Sequence, residues 1–297
     1  MQSITLKISL IYNSMKNPFT SIIAIAFLIL LSPTSQAQEK PPEIEFKLAR
    51  SADEFLILPL KIYRLKAADV HDVDSRQLKD TDIQRILIKV NIVWASAGIY
   101  WKLESIENVN AENLSRLKLL GLADAPDTQK KPHLAFRDVI PESTRKDYPG
   151  YRVYYIHDFD VNGVYFGRRE AMVKETAALR PVEGGIDEPL PRVTSHELGH
   201  ALGLPHRQDR FNLMASGTTG TLLNTAEIAK AREFATKNPA CLKYNDFQMK
   251  MALETDPSKK QASMNVMNDI NSLAKKPIHP VGSSSKKPEV VSPGETK

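Results

Sequence analysis

Residues 196–206 read HELGHALGLPH, placing three histidines, one glutamate and one glycine at fixed intervals. On a helix, positions i and i+4 lie one turn apart on the same face, so His196 and His200 can aim their imidazoles at one point. Gly203 stands where that helix should end, because glycine adopts the left-handed conformation a reversal requires. Pro205 bars continuation, and His206 then returns toward the first pair. Three nitrogen ligands with a fourth position left for water form the donor set of catalytic zinc. Glu197 follows the first ligand and is not itself needed as one. Zinc lowers the pKa of water to about 7, so a carboxylate beside it can take the proton as hydroxide attacks a carbonyl, then protonate the leaving amine. The chemistry implied is amide hydrolysis without a covalent intermediate. A structural zinc site is the main alternative, but such sites are usually closed by four ligands and often contain cysteine; no fourth ligand is apparent nearby.

The run His196-Glu197-Leu198-Gly199-His200-Ala201-Leu202-Gly203-Leu204-Pro205-His206 resembles the long zinc signature of the metzincin metallopeptidases. "FNLMASG" (211–217) looks like the methionine turn of that group, with Met214 eight residues after His206, a spacing similar to the matrixins. The resemblance implies an α+β, metzincin-like zincin domain: a mixed twisted sheet with an antiparallel edge strand, a long backing helix, a zinc-binding helix and a C-terminal helix. It implies a zinc metalloendopeptidase acting on a peptide or protein substrate. His196, His200 and His206 would hold catalytic Zn2+, and Glu197 would be the general base and acid. Gly203 and Met214 would support the site, with pocket walls from 200–204 and 213–221. There are departures from the matrixin pattern. Arg207 replaces the serine expected after the third histidine, Ala215-Ser216 offers no tyrosine, and no upstream cysteine is present to hold a zymogen latent. Two other functions are compatible with the same residues: a non-catalytic peptide-binding protein of this fold, and an amidase or peptidase acting on cell-wall peptides.

Those side chains need a scaffold. Residues 21–31, "SIIAIAFLILL", are apolar except for Ser21, follow Lys7 and Lys16, and precede Ser35-Gln36-Ala37, which reads as a signal peptide over 1–37 cleaved after Ala37. That implies a secreted or periplasmic protein with no stable membrane span after cleavage, the apolar run being shorter than the ~20 residues a span needs. Residues 38–55 form an N-terminal lead, 56–240 the zinc metallopeptidase domain, and 241–297 a polar, largely disordered tail, with a weak helix near 261–274. Within the domain, "LILPLKIYRLK" (56–66) is β-prone. Thr81 and Gln84 form a capping-box pair ahead of a helix carrying Ile83, Ile86, Leu87, Val90, Trp94 and Ala97 at helical spacing. Gly98 stops that helix. "IYWKLESIE" (99–107) and "YRVYYIHDF" (151–159) read as strands. A short helix is expected around 112–120, a loop over 123–148 and another over 180–189. "EAMVKETA" (170–177) reads as an edge strand, beside which an extended peptide could lie as an added strand. Asn224 caps a helix over 221–237, with Glu227 three residues on.

"DFDVNG" begins like a calcium loop, so Asp158, Asp160 and Asn162 are a weak candidate site for a structural Ca2+ or Zn2+. The twelfth position, however, is Arg169 where such a loop needs glutamate, and an ordinary turn explains the same residues. His157 could join such an ion; His71, His133 and His279 lie in polar or loop contexts. The only cysteine, Cys241, excludes an internal disulfide. The formal net charge of +5, two units of it from Lys7 and Lys16 in the leader, gives no licence to invoke nucleic acid. A monomer is expected.

Overall fold

The computed structural model of this chain describes residues 50–115, 117 and 132–275. The leader 1–37, most of the lead to residue 55, residues 116 and 118–120 of the helix expected around 112–120, and residues 276–297 with His279 lie outside them. Among the described residues no helix is long and apolar enough to cross a membrane.

In chain order the elements are β1 (Leu56–Lys66), α1 (Asp80–Trp94), β2 (Ile99–Asn110), β3 (Tyr151–Ile156), β4 (Gly163–Gly167), β5 (Glu170–Lys174), α2 (Pro189–Ala201), α3 (Thr225–Thr236), β6 (Leu242–Lys243), α4 (Tyr244–Ala252) and α5 (Pro257–Ala274). The strands form one mixed sheet in the order β2-β1-β3-β5-β4, with β6 added against the start of β1. β1 runs parallel to β2 and β3, β3 parallel to β5, and β4 antiparallel to β5. The expected mixed sheet with an antiparallel edge, a long helix behind it, a histidine-bearing helix and a C-terminal helix are all present.

Alternation along β1 assigns its faces. Leu56, Leu58, Leu60 and Ile62 point into the main core with Ile83, Ile86, Val90 and Trp94 of α1 and Val193 and Leu198 of α2. Tyr63 and Leu65 point to the opposite face, where Tyr154, Ile156, Met172, Val139 and Ile140 join them. Period two in the strands and period 3.6 in the helices thus meet in one layer, each fully buried aliphatic side chain contributing about 1.5–3 kcal/mol.

Several expectations are corrected here. The first turn of α1 is capped two residues earlier than Thr81–Gln84: the Asp82 carboxylate accepts from the Lys79 N–H at 3.0 Å. The stop at Gly98 holds, at φ +61°. The edge strand is β4, over 163–167; 170–174 is an interior strand between β3 and β4. The sequence obscures this because two strands of five residues share a tight hairpin whose turn, Arg168-Arg169, has φ +50° and +63° without the usual glycine or asparagine. The interval 123–148, read as loop, carries two short 3-10 turns, Pro132–Val139 and Glu142–Thr144. Finally, residues 241–275 are no disordered tail. Phe247, Met267 and Ile270 of α4 and α5 are buried against Phe55, Ile57 and Tyr100, and the Tyr100 hydroxyl donates to Asp269 at 2.8 Å. Their apolar residues are spaced too widely in a Lys- and Ser-rich background to stand out by composition.

Candidate metal centre

α2 opens with Pro189 and Pro191 in its first turn, where the missing N–H groups cost nothing. It carries His196 and His200 on one face. The chain leaves the helix at Gly203, φ +78°, with Gly203 N–H donating to His200 O at 3.0 Å and Leu204 N–H to Gly199 O at 3.0 Å. That turn delivers His206 to the first two histidines: His200 Nε2 stands 3.1 Å from His196 Nε2 and 3.1 Å from His206 Nε2. Among the described residues this is the only group of three or more ligating side chains close enough to share an ion.

The tautomers follow from the partners. His196 Nδ1 lies 2.8 Å from the Leu213 carbonyl and His200 Nδ1 2.8 Å from the Leu204 carbonyl. A carbonyl only accepts, and at His196 it lies nearer Nδ1 than the Arg192 Nη1 donor does at 3.2 Å, so both Nδ1 atoms carry hydrogen and both Nε2 atoms present bare lone pairs. Two lone pairs facing each other at 3.1 Å repel unless a cation lies between them. Burial pushes His196 down to about 2 and lowers His200 as well, so a proton is a poor candidate for that cation. Nitrogen atoms bound tetrahedrally at about 2.0–2.1 Å stand about 3.3 Å apart, close to what is seen. The donor set, its spacing and the carbonyls behind two of the rings fit zinc.

Glu197 is 4% exposed, and burial pushes its carboxyl up to about 8. Among the described residues no side chain or N–H donates to it, and Gly163 at the start of β4 lies directly against it. A methyl group on Gly163 would fall 2.8 Å from Glu197 Cγ and Oε1 and 2.8 Å from Val193 Cγ1. The antiparallel edge strand, expected at 170–177 and found at 163–167, therefore adjoins the carboxylate.

Met214 is fully buried, with its sulfur against Gly199, the residue preceding His200 on α2. Its turn is pinned from three sides: Met214 N–H to Asn212 Oδ1 at 2.7 Å, Arg207 N–H to Met214 O at 2.9 Å, and Leu213 N–H to Leu222 O at 2.8 Å. The following residues are held too. Thr219 Oγ1 accepts from Val182 N–H at 2.9 Å and Thr218 Oγ1 donates to Arg210 O at 2.8 Å. Arg192, one turn before His196, is buried; its Nε and Nη2 donate to the carbonyls of Gly220, Asn212 and Ala215, and its Nη1 lies 3.2 Å from His196 Nδ1. Arg192 was missed in the sequence, although its i−4 spacing from His196 is a usable signal. Glu227 was noted only as a helix-capping partner.

The weak ion site does not assemble. Asp158 Oδ1 is taken by Thr176 Oγ1 at 2.8 Å and Lys174 Nζ at 3.0 Å. Asp160 pairs with His133 at 3.0 Å, and the Asn162 side chain bridges the Ala178 backbone at 2.8 and 3.2 Å. Each of the three side chains has a protein partner, and among the described residues they do not gather as a group that could share an ion, so a structural Ca2+ or Zn2+ has no support and the segment is an ordinary turn. His157 instead packs edge-on against His71, ring centroids 4.6 Å apart.

No family model and no curated protein matches the chain. Solved structures with which it shares likeness include one described as a chaperone-substrate complex, with TM-score 0.37, 10% identity, 62% of this chain and 35% of that one. Archaemetzincin from Methanopyrus kandleri gives TM-score 0.34 and 14% identity over 61% of this chain and 94% of that one. Metalloproteinase-II from Bacteroides fragilis gives TM-score 0.35 and 11% identity over 65% and 58%. The chain thus spans about a third of the first and somewhat over half of the third. Likenesses this distant carry no argument about chemistry, which rests on the site itself.

Proposed function

We propose that this chain is an exported zinc-dependent endopeptidase of metzincin type. The observation that carries the reading is the pair of facing Nε2 lone pairs of His196 and His200, with His206 joining them and the buried carboxyl of Glu197 next in sequence. His196, His200 and His206 would hold the ion. Bound there, zinc would supply Lewis acidity, polarising a peptide carbonyl and making water nucleophilic near neutral pH. Glu197, free of protein donors among the described residues, accepts the proton of the attacking water and returns it to the amine that leaves. Its burial keeps competing water away from that proton transfer. The edge strand β4 offers the backbone groups beside which an extended substrate chain lies. Residues 1–37, with the features of a signal peptide, support export.

The test follows cleavage of an unfolded protein such as casein by the zinc-loaded chain, beside Glu197→Ala and a chelated sample. Cleavage by the wild type alone supports the reading. A folded, zinc-loaded wild type that cuts casein no better than Glu197→Ala overturns general proteolysis; equal peptide binding by both proteins would then point to a peptide-binding role.

A further inference from the structure

His196 and His200 each have a backbone carbonyl behind Nδ1, but His206 does not: it is exposed, and among the described residues no acceptor lies at its Nδ1. A metal ligand without such a partner is free to swing, and its orientation must come from elsewhere. The next residue supplies it. Arg207 N–H donates to Met214 O at 2.9 Å, and Arg207 Nε donates to Glu227 Oε1 at 2.6 Å.

Glu227, in the first turn of α3, is 1% exposed. Its second oxygen, Oε2, accepts from Asn212 Nδ2 at 2.8 Å and from Asn224 N–H at 2.9 Å. Asn212 in turn receives Met214 N–H on Oδ1 at 2.7 Å. One carboxylate therefore ties together the residue after the third histidine, the methionine turn and the start of α3. Capping α3 needs only Oε2, and leaves the bond from Oε1 to Arg207 unexplained. All three partners are donors, so an amide at 227 would set its own NH2 against at least one of them.

We infer that Glu227, acting through Arg207, is a positioning residue for the third zinc ligand, His206. The inference rests on the zinc reading above. It identifies Arg207, the residue that departs from the matrixin pattern, as one end of a device peculiar to this chain's own residues.

The test uses the full chain stripped of metal, titrated with zinc against a chromogenic chelator and with Co2+ followed by its visible absorption. Arg207 is the better probe, because its side chain is 43% exposed and its removal leaves the α3 cap intact. Arg207→Gln and Glu227→Gln are expected to weaken zinc binding about 10-fold or more and to alter the Co2+ spectrum, with Arg207→Lys recovering part of the loss. Metal-free Arg207→Gln should keep the far-ultraviolet circular dichroism of the wild type, showing that it folds. Asn224→Ala, which disturbs only the cap, should lower the melting temperature and leave zinc affinity in place. The positioning role is overturned if Arg207→Gln binds zinc as tightly as wild type with the same Co2+ spectrum, or if Asn224→Ala weakens zinc equally. A wild type that binds no stoichiometric zinc would instead bring down the zinc reading, and this inference with it.

Discussion

Glu197 and His196 are neighbours whose burial shifts their pKa values in opposite directions. The carboxyl is pushed up to about 8 and the imidazole down to about 2, each favouring its neutral form in the metal-free chain. A histidine whose folded pKa is depressed contributes stability that is present above its ordinary value of 6.5 and is lost as pH falls toward about 2. The metal-free wild type should therefore lose stability on acidification below pH 6.5 more steeply than His196→Gln; parallel denaturant titrations across pH check the difference. For Glu197→Gln the expected outcome is undiminished zinc content with kcat lowered by about 10²- to 10⁴-fold, the range of general acid–base catalysis. Gly163→Ala separates placement of the carboxylate from its chemistry. The added methyl would press on Glu197 and Val193, both held in a packed helix, so kcat should fall while zinc binding stays near that of wild type. If kcat is unchanged, β4 does not set the position of Glu197.

Two elements decide where the residues stand. The turn at Gly203 needs a left-handed residue at φ +78°, and a methyl there would also meet the Phe234 ring at 2.7 Å. Gly203→Ala should cost on the order of 1 kcal/mol or more and weaken zinc, since the same turn delivers His206; unfolding with and without metal measures both. In a separate apolar cluster, α4 and α5 pack around Phe55, Ile57 and Tyr100. Ile270 is fully buried, so Ile270→Ala should destabilise the metal-free protein by about 2–5 kcal/mol, as for other core truncations. No change in the denaturation midpoint would mean these helices do not belong to the folded unit.

Across the whole molecule, the zinc reading makes stability depend on metal. An ion that binds only the folded state stabilises it by about 4 kcal/mol when present at a thousand times its Kd. Chelation should therefore lower the melting temperature by several degrees as well as abolish cleavage, and added zinc should restore both. The loop of residues 212–220 makes this coupling physical. It is bound to α2 through Arg192 and to α3 through Glu227, so the histidine helix, the methionine turn and the C-terminal helix form one hydrogen-bonded set.

What the sequence determined by itself was local. The i, i+4 spacing of His196 and His200, the reversal at Gly203, the cap at Asn224–Glu227 and the β-prone run of 56–66 each depend on residues close in the chain, where backbone geometry leaves few options. Tertiary structure alone decided what depends on residues far apart in the chain. It placed β4 and not β5 at the edge, laid Gly163 on Glu197, spent Asp158, Asp160 and Asn162 on Lys174, His133 and Ala178, and buried Ile270 beside Phe55. It also turned Glu227 from a cap into a tie to Arg207. The reason is physical: a hydrogen bond or an apolar contact is set by whichever group arrives nearest in space, and for these residues that group lies on another element.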